Sequence, residues 1–508
     1  SKNDNFYEVN NFASILNFNS NKINVFADSI FINTSNIISD FNFFTNSDFN
    51  FSGTINNFKL SLPLNNINNN YFFSGNLLKS NVSFSNGFIK SFSGFVEINP
   101  LDTILSFDSK DTIISYNSVI RENLIFDSIK GIINIKNYKN PKLNITSLFL
   151  KNDDINLTIS GSIDNDKDLI KLYSNIDYVD MRNITKYMPL SFMKNSSSQW
   201  FQKSFIKGYS KEAHILINGN LSDYPFYENL SGISFAIFPI SNLDVDYKKD
   251  WIPFKNVNGK AYFNKNKAYF ISEEINILDT KLNKSSLYIN EVRSPELRIK
   301  GVLTGPFSDL LKFSNEAKLI NVSKNKVNSI KGNSETTFKM NLAFNGSENR
   351  YESQIKLKNL EYNIDEKNKL TDLTGIINYK NEIFFTKKED FIMGKFNQTK
   401  IKFSLNTDDK KNFLISGKQK ISLQDYIENK TIKNRISGKS EWYYSIVVPS
   451  FESNNKKIKI KASSNLLGSK IDFPEPFKKE SKLKNNLIIN TYFADNNFTN
   501  IKIRYKKI

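Results

Sequence analysis

The sequence predicts a mostly β chain: a long antiparallel sheet, twisted and curled, with a few short helices as accessories. Three observations carry this. Apolar residues alternate with polar ones at a period of two through most of the 508 residues. The segments between these runs are short and polar, which pairs successive strands as antiparallel neighbours. No strand–helix–strand rhythm, GxGxxG or phosphate-binding loop interrupts them.

Taken in order, Ile23 and Val25 alternate with polar residues, as do Phe49, Phe51 and Ile55, and Phe58, Leu60 and Leu62 up to Pro63. Further on, one face of each strand is read as Ile155, Leu157 and Ile159; Ala213, Ile215 and Ile217; and Ile233, Phe235 and Ile237. The same reading gives Ala261 and Phe263, Ile275 and Ile277, and Leu297 and Ile299. Ile401, Phe403 and Leu405 follow, then Ile458 and Ile460 between Lys457, Lys459 and Lys461. Each such strand has an apolar and a hydrophilic face.

The pattern breaks between Tyr187 and Pro253. Residues 181–188 are expected to be helical, with Met181, Ile184 and Tyr187 or Met188 on one face, Asp180 as cap and Pro189 as stop. A second helix is expected over 197–207, opened by a serine of 196–198 and closed by Gly208. It carries Trp200, Phe201 and Phe205, read as a plug, a membrane-facing helix, or an ordinary helix over a sheet end. A weaker helix is expected at 306–315, with Pro306 in the first position. Trp251 and Trp442 are expected to pack at strand ends.

A loose repeat runs through the chain. SIKGIINIKN (128–137), NVNGKAYFNK (256–265) and DLTGIINYKN (372–381) align, and each leads to a strand ending in LTISG, LRIKG or FLISG. Three modules are expected: 1–127, 128–320 and 321–508.

Composition narrows the function. Hydrophobic residues make up 39% and mean hydropathy is −0.43, but aromatics reach 14%, which excludes a disordered chain. With 12 Pro and 19 Gly, the turns rely on Asn, Asp, Ser and Lys. The net charge of +18 fits an anionic partner or AT-rich coding, and the Lys residues read as dispersed over solvent-side strand positions. Absence of Cys excludes disulfides and thiolate chemistry. No apolar run approaches the ~20 residues of a membrane helix, no leader is visible, and both ends read as cut from something longer.

The single His, His214, falls on the hydrophilic face between Ala213 and Ile215, with no acid marked as its partner. The pairs Asp153–Asp154, Glu273–Glu274 and Asp408–Asp409 sit in expected turns, where polarity explains them as well as a glycosidase dyad does. No metal, no cofactor and no enzymatic activity are expected, and a nucleic-acid partner is not, because aromatics alternate with Lys onto opposite faces.

Strands of this kind fold as serial sandwiches, as a β-helix, or as a curled sheet whose apolar inside is filled by something else. Ordered landmarks bear on the choice: YMPLSFM (187–193), WFQKSFIKG (200–208), ILINGNLSDYPF (215–226), DVDYKKDWIPF (244–254), PELRIKGVLTGPFSDLLKF (295–313), ISGKSEWYYSIVVP (436–449) and SSNLLGSKIDFPEPFKKES (463–481). In these the sequence resembles the YhdP family of AsmA-like envelope proteins, related to TamB, and reads as an internal periplasmic piece. The resemblance implies a U-shaped "taco" groove in the periplasm, in a protein anchored in the inner membrane. That groove would carry phospholipid from inner to outer membrane and maintain the outer-membrane barrier. The expected partners are phospholipid and the two membranes or their proteins. The alternative is a structural, adhesin-like β protein without transport. About 30 strands at ~4.8 Å would give a trough on the order of 100–140 Å. Carboxylates at Phe235, Ile237 or Phe403 are expected to disturb it.

Overall fold

The computed structural model describes residues 9–33, 50–65, 70–136, 140–188, 195–226, 231–246, 252–289, 296–316, 322–343, 350–363, 369–380, 383–396, 399–408, 412–427, 429–449, 457–494 and 497–505. Of the described residues, 71% are strand and 8% helix, so the helices are accessories to a sheet. Twenty-nine strands belong to one antiparallel sheet that is not closed into a barrel, and two more form a small ribbon.

The chain divides into two compact units, changing over near residues 249–294. The boundaries expected at 127/128 and 320/321 fall inside the first and second unit respectively.

The first unit holds β1 (Val9–Asn17), β2 (Lys22–Asn33), β3 (Asn50–Pro63), β4 (Phe72–Phe84) and β5 (Gly87–Ile98). β5 then pairs with two short strands, β6 (Asp102–Ser109) along its second half and β7 (Thr112–Tyr116) along its first. β8 (Leu124–Phe126) pairs with β7, and β9 (Ser128–Lys136) with β6. A meander follows: β10 (Lys142–Lys151), β11 (Ile155–Asp164), β12 (Leu169–Asp180), β13 (Phe205–Asn220), β14 (Ile233–Val245) and β15 (Phe254–Asn264).

β16 (Lys267–Ile277) runs across the unit boundary into the second unit, which continues with β17 (Thr280–Ile289) and β18 (Glu296–Pro306). Then come β19 (Ile330–Ala343), β20 (Arg350–Asn363), β21 (Lys369–Lys380), β22 (Ile383–Phe385), β23 (Ile392–Phe396), β24 (Thr399–Thr407) and β25 (Phe413–Ile421). The last strands are β26 (Ile436–Gly438), β27 (Ser440–Val448), β28 (Ile458–Ser464), β29 (Ser469–Ile471), β30 (Leu487–Ala494) and β31 (Asn497–Tyr505). β26 and β29 form the separate ribbon.

Mid-strand bulges bend these strands. Asn57, Lys79, Ser91, Glu212, Asn242 and Asn256 in the first unit take φ of 42° to 59°, as do Lys284, Asn359 and Asp372 in the second. Register shifts accompany them, for example between Ser210 and His214 of β13 and between Leu357 and Leu360 of β20. Each bulge inserts a residue in one strand only and so adds local bend and twist. The repeat falls on β9, β15 and β21. Their Gly131, Gly259 and Gly375 stand opposite Leu148, Ile240 and Leu357. At Gly131 and Gly375, with φ of 152° and 150°, a Cβ would strike the next strand's backbone at Ser147 or Phe391.

Helix α1 spans Asn195–Ser204, α2 Phe307–Glu316, α3 Lys324–Asn328 and α4 Lys430–Lys433. The helix expected at 306–315 is thus α2, with Pro306 closing β18 instead of opening the helix. Two expectations are corrected. Over 181–188 the chain makes turns and a 3₁₀ segment, Ile184–Lys186, because its amides bond three residues back (Lys186 N to Asn183 O, 3.0 Å; Tyr187 N to Ile184 O, 3.2 Å). The helix expected to reach 207 stops at Ser204, because from Phe205 the backbone pairs with β14.

In the second unit, residues 422–427, 429–439 and 465–486 pack together as a cap on the strand ends. Ile436, Trp442, Leu466 and Ile471 are its buried centre. Trp442 indeed packs at a strand end, its Nε1 donating to Ser440 Oγ at 3.1 Å; Trp251 lies outside the described residues. Lys479 is 1% exposed and donates to Ser469 O (2.7 Å) and Glu480 O (3.0 Å). Burial pushes its ammonium below the ordinary value, partly offset by Glu480. The unfolded chain therefore holds this proton more tightly, and the site's stability rises as pH climbs from the folded value towards 10.5. Lys479→Met is expected to lower stability by about 1–3 kcal/mol near neutrality, by stranding two carbonyls, and to remove that alkaline rise. Denaturant titrations of both proteins across pH 7–10 check this.

Candidate functional site

Register decides which side chains share a face. In the first unit, Leu157 and Ile159 of β11 stand opposite Ile176 and Ser174 of β12, which stand opposite Ala213 and Ile215 of β13. Ile215 and Ile217 pair with Ala236 and Ser234 of β14, and Ala236 and Phe238 pair with Phe263 and Ala261 of β15. One apolar face, here the inner face, therefore gathers Ile155, Leu157, Ile159, Ala213, Ile215, Ile217, Ala261 and Phe263. It also takes in residues the pattern did not single out: Ile176, Phe238 and Ile240. Upstream, the same face runs through Leu150, Ile129, Val96, Leu77, Ile55 and Ala27.

Ile233, Phe235 and Ile237 belong to the opposite face. Phe235 pairs with Leu216 and Ile237 with His214, both on the far side from Ile215. β14 reads apolar on both faces over 235–238, so alternation alone leaves its parity open. The pairing of Phe235 with Leu216 and of Ile237 with His214 sets it; beyond them the bulge of β13 lies across from Pro239, which has a partner in Lys260 of β15 while the pairing with β13 skips from Ile237 to Ile240. A proline without an N–H is accommodated at such a skip. The carboxylate expected to disturb the groove from Phe235 or Ile237 would thus enter the wrong face.

In the second unit, Leu297 and Ile299 pair with Leu342 and Met340. The face continues through Thr336, Ile355 and Ile377, and through Ile392 to Phe403 and Gly394 to Ile401. Leu405, Ile415, Ile446 and Ile460 extend it, and Ile458 stands opposite Phe493. Ile275 and Ile277 are buried at the start of this unit. The other face carries cross-strand ion pairs, Lys358–Glu335 at 2.6 Å and Lys380–Glu352 at 2.8 Å.

Burial grades along the inner face. In the first unit Ile155, Leu157 and Ala213 are buried, and Ile159, Ile215, Ile217, Ala261 and Phe263 half-buried; in the second, Leu297, Ile299, Ile401, Phe403, Leu405, Ile458 and Ile460 are half-buried, while Ile275 and Ile277 of β16 are buried. Two features cover it locally. Phe226 is fully buried against Gly219 and Gly232 in the β13–β14 turn. Phe307 and Leu310 of α2 pack on the cluster of Leu357, Leu360, Leu373 and Ile392, with Asp309 Oδ2 accepting from Asp279 N at 3.0 Å. In the segment read as a plug, a membrane-facing helix or an ordinary helix over a sheet end, Phe201 and Phe205 pack edge to face at 4.9 Å, and the side chain of Trp200 lies outside the described residues.

Polar groups hold the strand ends beside this face. Asp154 accepts from Asn183 (2.8 Å), Lys186 (3.1 Å) and Tyr187 (3.4 Å), and Asp180 pairs with Arg182 at 2.6 Å. Burial works to raise the Asp180 carboxyl, but the Arg182 hydrogen bonds and charge hold it below the ordinary range. The Tyr187 hydroxyl is pushed up to about 12 by burial, with the Asp154 charge adding to it. His214 bonds Tyr173 Oη through Nδ1 at 3.0 Å. Among the described residues no three His, Asp or Glu side chains converge as a metal site.

These features define a class: an unclosed antiparallel β-sheet protein with one apolar, half-exposed face. The family model described as YhdP protein matches residues 23–507, and the chain belongs to the YhdP family. No curated protein matches it. The family is one of periplasmic envelope proteins, and membership is consistent with a lipid-transport bridge. Among the described residues no helix is long and apolar enough to cross a membrane.

Proposed function

We propose that the inner faces hold the acyl chains of phospholipid, and that the chain is part of a non-enzymatic conduit carrying phospholipid from inner to outer membrane. In this reading the whole protein is anchored in the inner membrane and its work maintains the outer-membrane barrier. The observation that carries it is the inner face itself: it stays apolar from strand to strand, yet twelve of its residues remain half-buried where a closed core would bury them. A free phospholipid exposes two chains to water at about 0.8 kcal/mol per CH₂, on the order of 20 kcal/mol in all. A half-exposed apolar face removes most of that.

The buried side chains at Ile155, Leu157, Ala213, Ile275 and Ile277 favour a second reading, a structural envelope protein whose apolar residues only stabilise the sheet. A photocrosslinking residue at Ile215, Phe263 or Ile299 separates the two. Phospholipid adducts are expected at all three positions in living cells. Adducts to no lipid at any of them would leave the structural reading.

A further inference from the structure

The excess positive charge is not dispersed. Residues 418–508 hold 19 Lys and Arg against eight Asp and Glu, so eleven of the eighteen net charges lie in the last fifth of the chain. β28 presents Lys459 and Lys461, and β31 presents Lys502 and Arg504, on the face that carries Ile488, Asn490 and Tyr492 of β30, opposite to the face on which the cap packs. The cap adds Lys470, Lys478, Lys482 and Lys484, all exposed. None of these eight cations lies within ion-pair distance of a carboxylate among the described residues. Three carboxylates of the cap, Asp472, Glu475 and Glu480, are exposed on the limb around Pro474 and Pro476.

The cap also exposes large apolar side chains among those cations: Leu467 at 44%, Phe477 at 53% and Leu483 at 56%. Backbone bonds bring two of them together. Gly468 N donates to Ser481 O and Asn485 N to Asn465 O, each at 2.9 Å, so the segments holding Leu467 and Leu483 run side by side. Lys482 and Lys484 flank Leu483. Backbone bonds and burial hold the segments beneath: Ile471 and Lys479 exchange backbone bonds at 2.9 Å, and Leu466 is fully buried.

We propose that this cap docks on the surface of an anionic phospholipid bilayer. Unpaired cations supply attraction to acidic headgroups, and exposed leucines between them enter the headgroup boundary. A polyanion such as nucleic acid would use the cations but gain nothing from Leu467 and Leu483. The cap covers the end of the inner face at Ala462, Leu487 and Ile489, and its exposed cations and leucines are none of the positions on which the transport reading stands.

The test is flotation of the full chain with vesicles of equal phosphatidylglycerol and phosphatidylethanolamine, against vesicles of phosphatidylcholine alone. Binding is expected to the first and not the second, weakening as salt rises. Lys482→Ser with Lys484→Ser is expected to weaken it about 25-fold, since each lysine at such a surface is worth about fivefold. Leu467→Ser with Leu483→Ser is expected to remove the binding that survives high salt. All four positions are exposed, so the fold, followed by circular dichroism, should persist. Equal flotation with neutral vesicles, or variants that float like the parent, would overturn the proposal. So would binding of soluble dextran sulfate as tight as binding to vesicles and indifferent to the leucine changes. Lipid capture at Phe263 together with no flotation would sink this inference alone and leave the conduit standing.

Discussion

Phe263→Glu is expected to strip phospholipid from the first unit, and Phe235→Glu, on the neighbouring strand, is expected to leave it bound. Phe263 stands opposite Ala236 and touches Phe238 edge to face at 6.2 Å, on the inner face. Phe235 stands opposite Asn264 and Leu216 on the other. Both side chains are half-buried, so both substitutions remove similar apolar contact and each is expected to lower stability by about 1–2 kcal/mol. The difference lies in what the carboxylate meets. At Phe263 it would lie against acyl chain, where an unpaired charge costs several kcal/mol and admits water. At Phe235 it faces solvent beside Leu216. Native mass spectrometry of the purified chain, with lipid extraction as a check, reads the outcome. Loss of lipid from both variants would show that stability and not the face decides occupancy. Retention in both would remove lipid from this face.

Much of this fold was legible before any coordinates. Strand after strand, one hydrophilic and one apolar side identified β11, β13, β15, β18, β24 and β28, because a two-residue period is a direct record of the pleat. Legibility stopped where both sides are apolar. In β14 the run Phe235–Ala236–Ile237–Phe238 fits either parity, and only pairing with His214 and Leu216 resolves it. It also stopped where covering residues come from outside the alternating pattern. Phe307 and Leu310 reach the inner face from α2, and nothing in their spacing names the strands they touch. The bulges left a fainter mark: Asn and Asp inside strands tolerate positive φ, but they also occupy ordinary solvent positions, and Lys79, Ser91, Glu212 and Lys284 take it with no such signal. The basic cap was masked in another way, since a chain rich in Lys throughout hides a local excess until acids are counted against it.

Phe226→Ala is expected to be the most damaging single truncation in the first unit. The ring is fully buried, and Gly219 and Gly232 leave the space it fills: a Cβ on either would strike the ring. Tyr224 packs on it edge to face at 5.8 Å, and Ser231 Oγ donates to Asp223 at 2.6 Å to close the turn. Two glycines cannot refill the void, so little relaxation offsets the loss, and about 3–5 kcal/mol is expected. That loss should be local. Each strand of this unit bonds mainly to its sequence neighbours, so a weakened β13–β14 turn can open without unfolding distant strands. Hydrogen exchange should therefore quicken at 215–220 and 233–238 in Phe226→Ala, while amides of β3 and β4 keep their protection. Phe226→Leu, which keeps most of the volume, should recover more than half of the loss. Uniform acceleration over the whole unit would mean that its strands unfold as one body, and the picture of neighbour-by-neighbour stability would have to be abandoned.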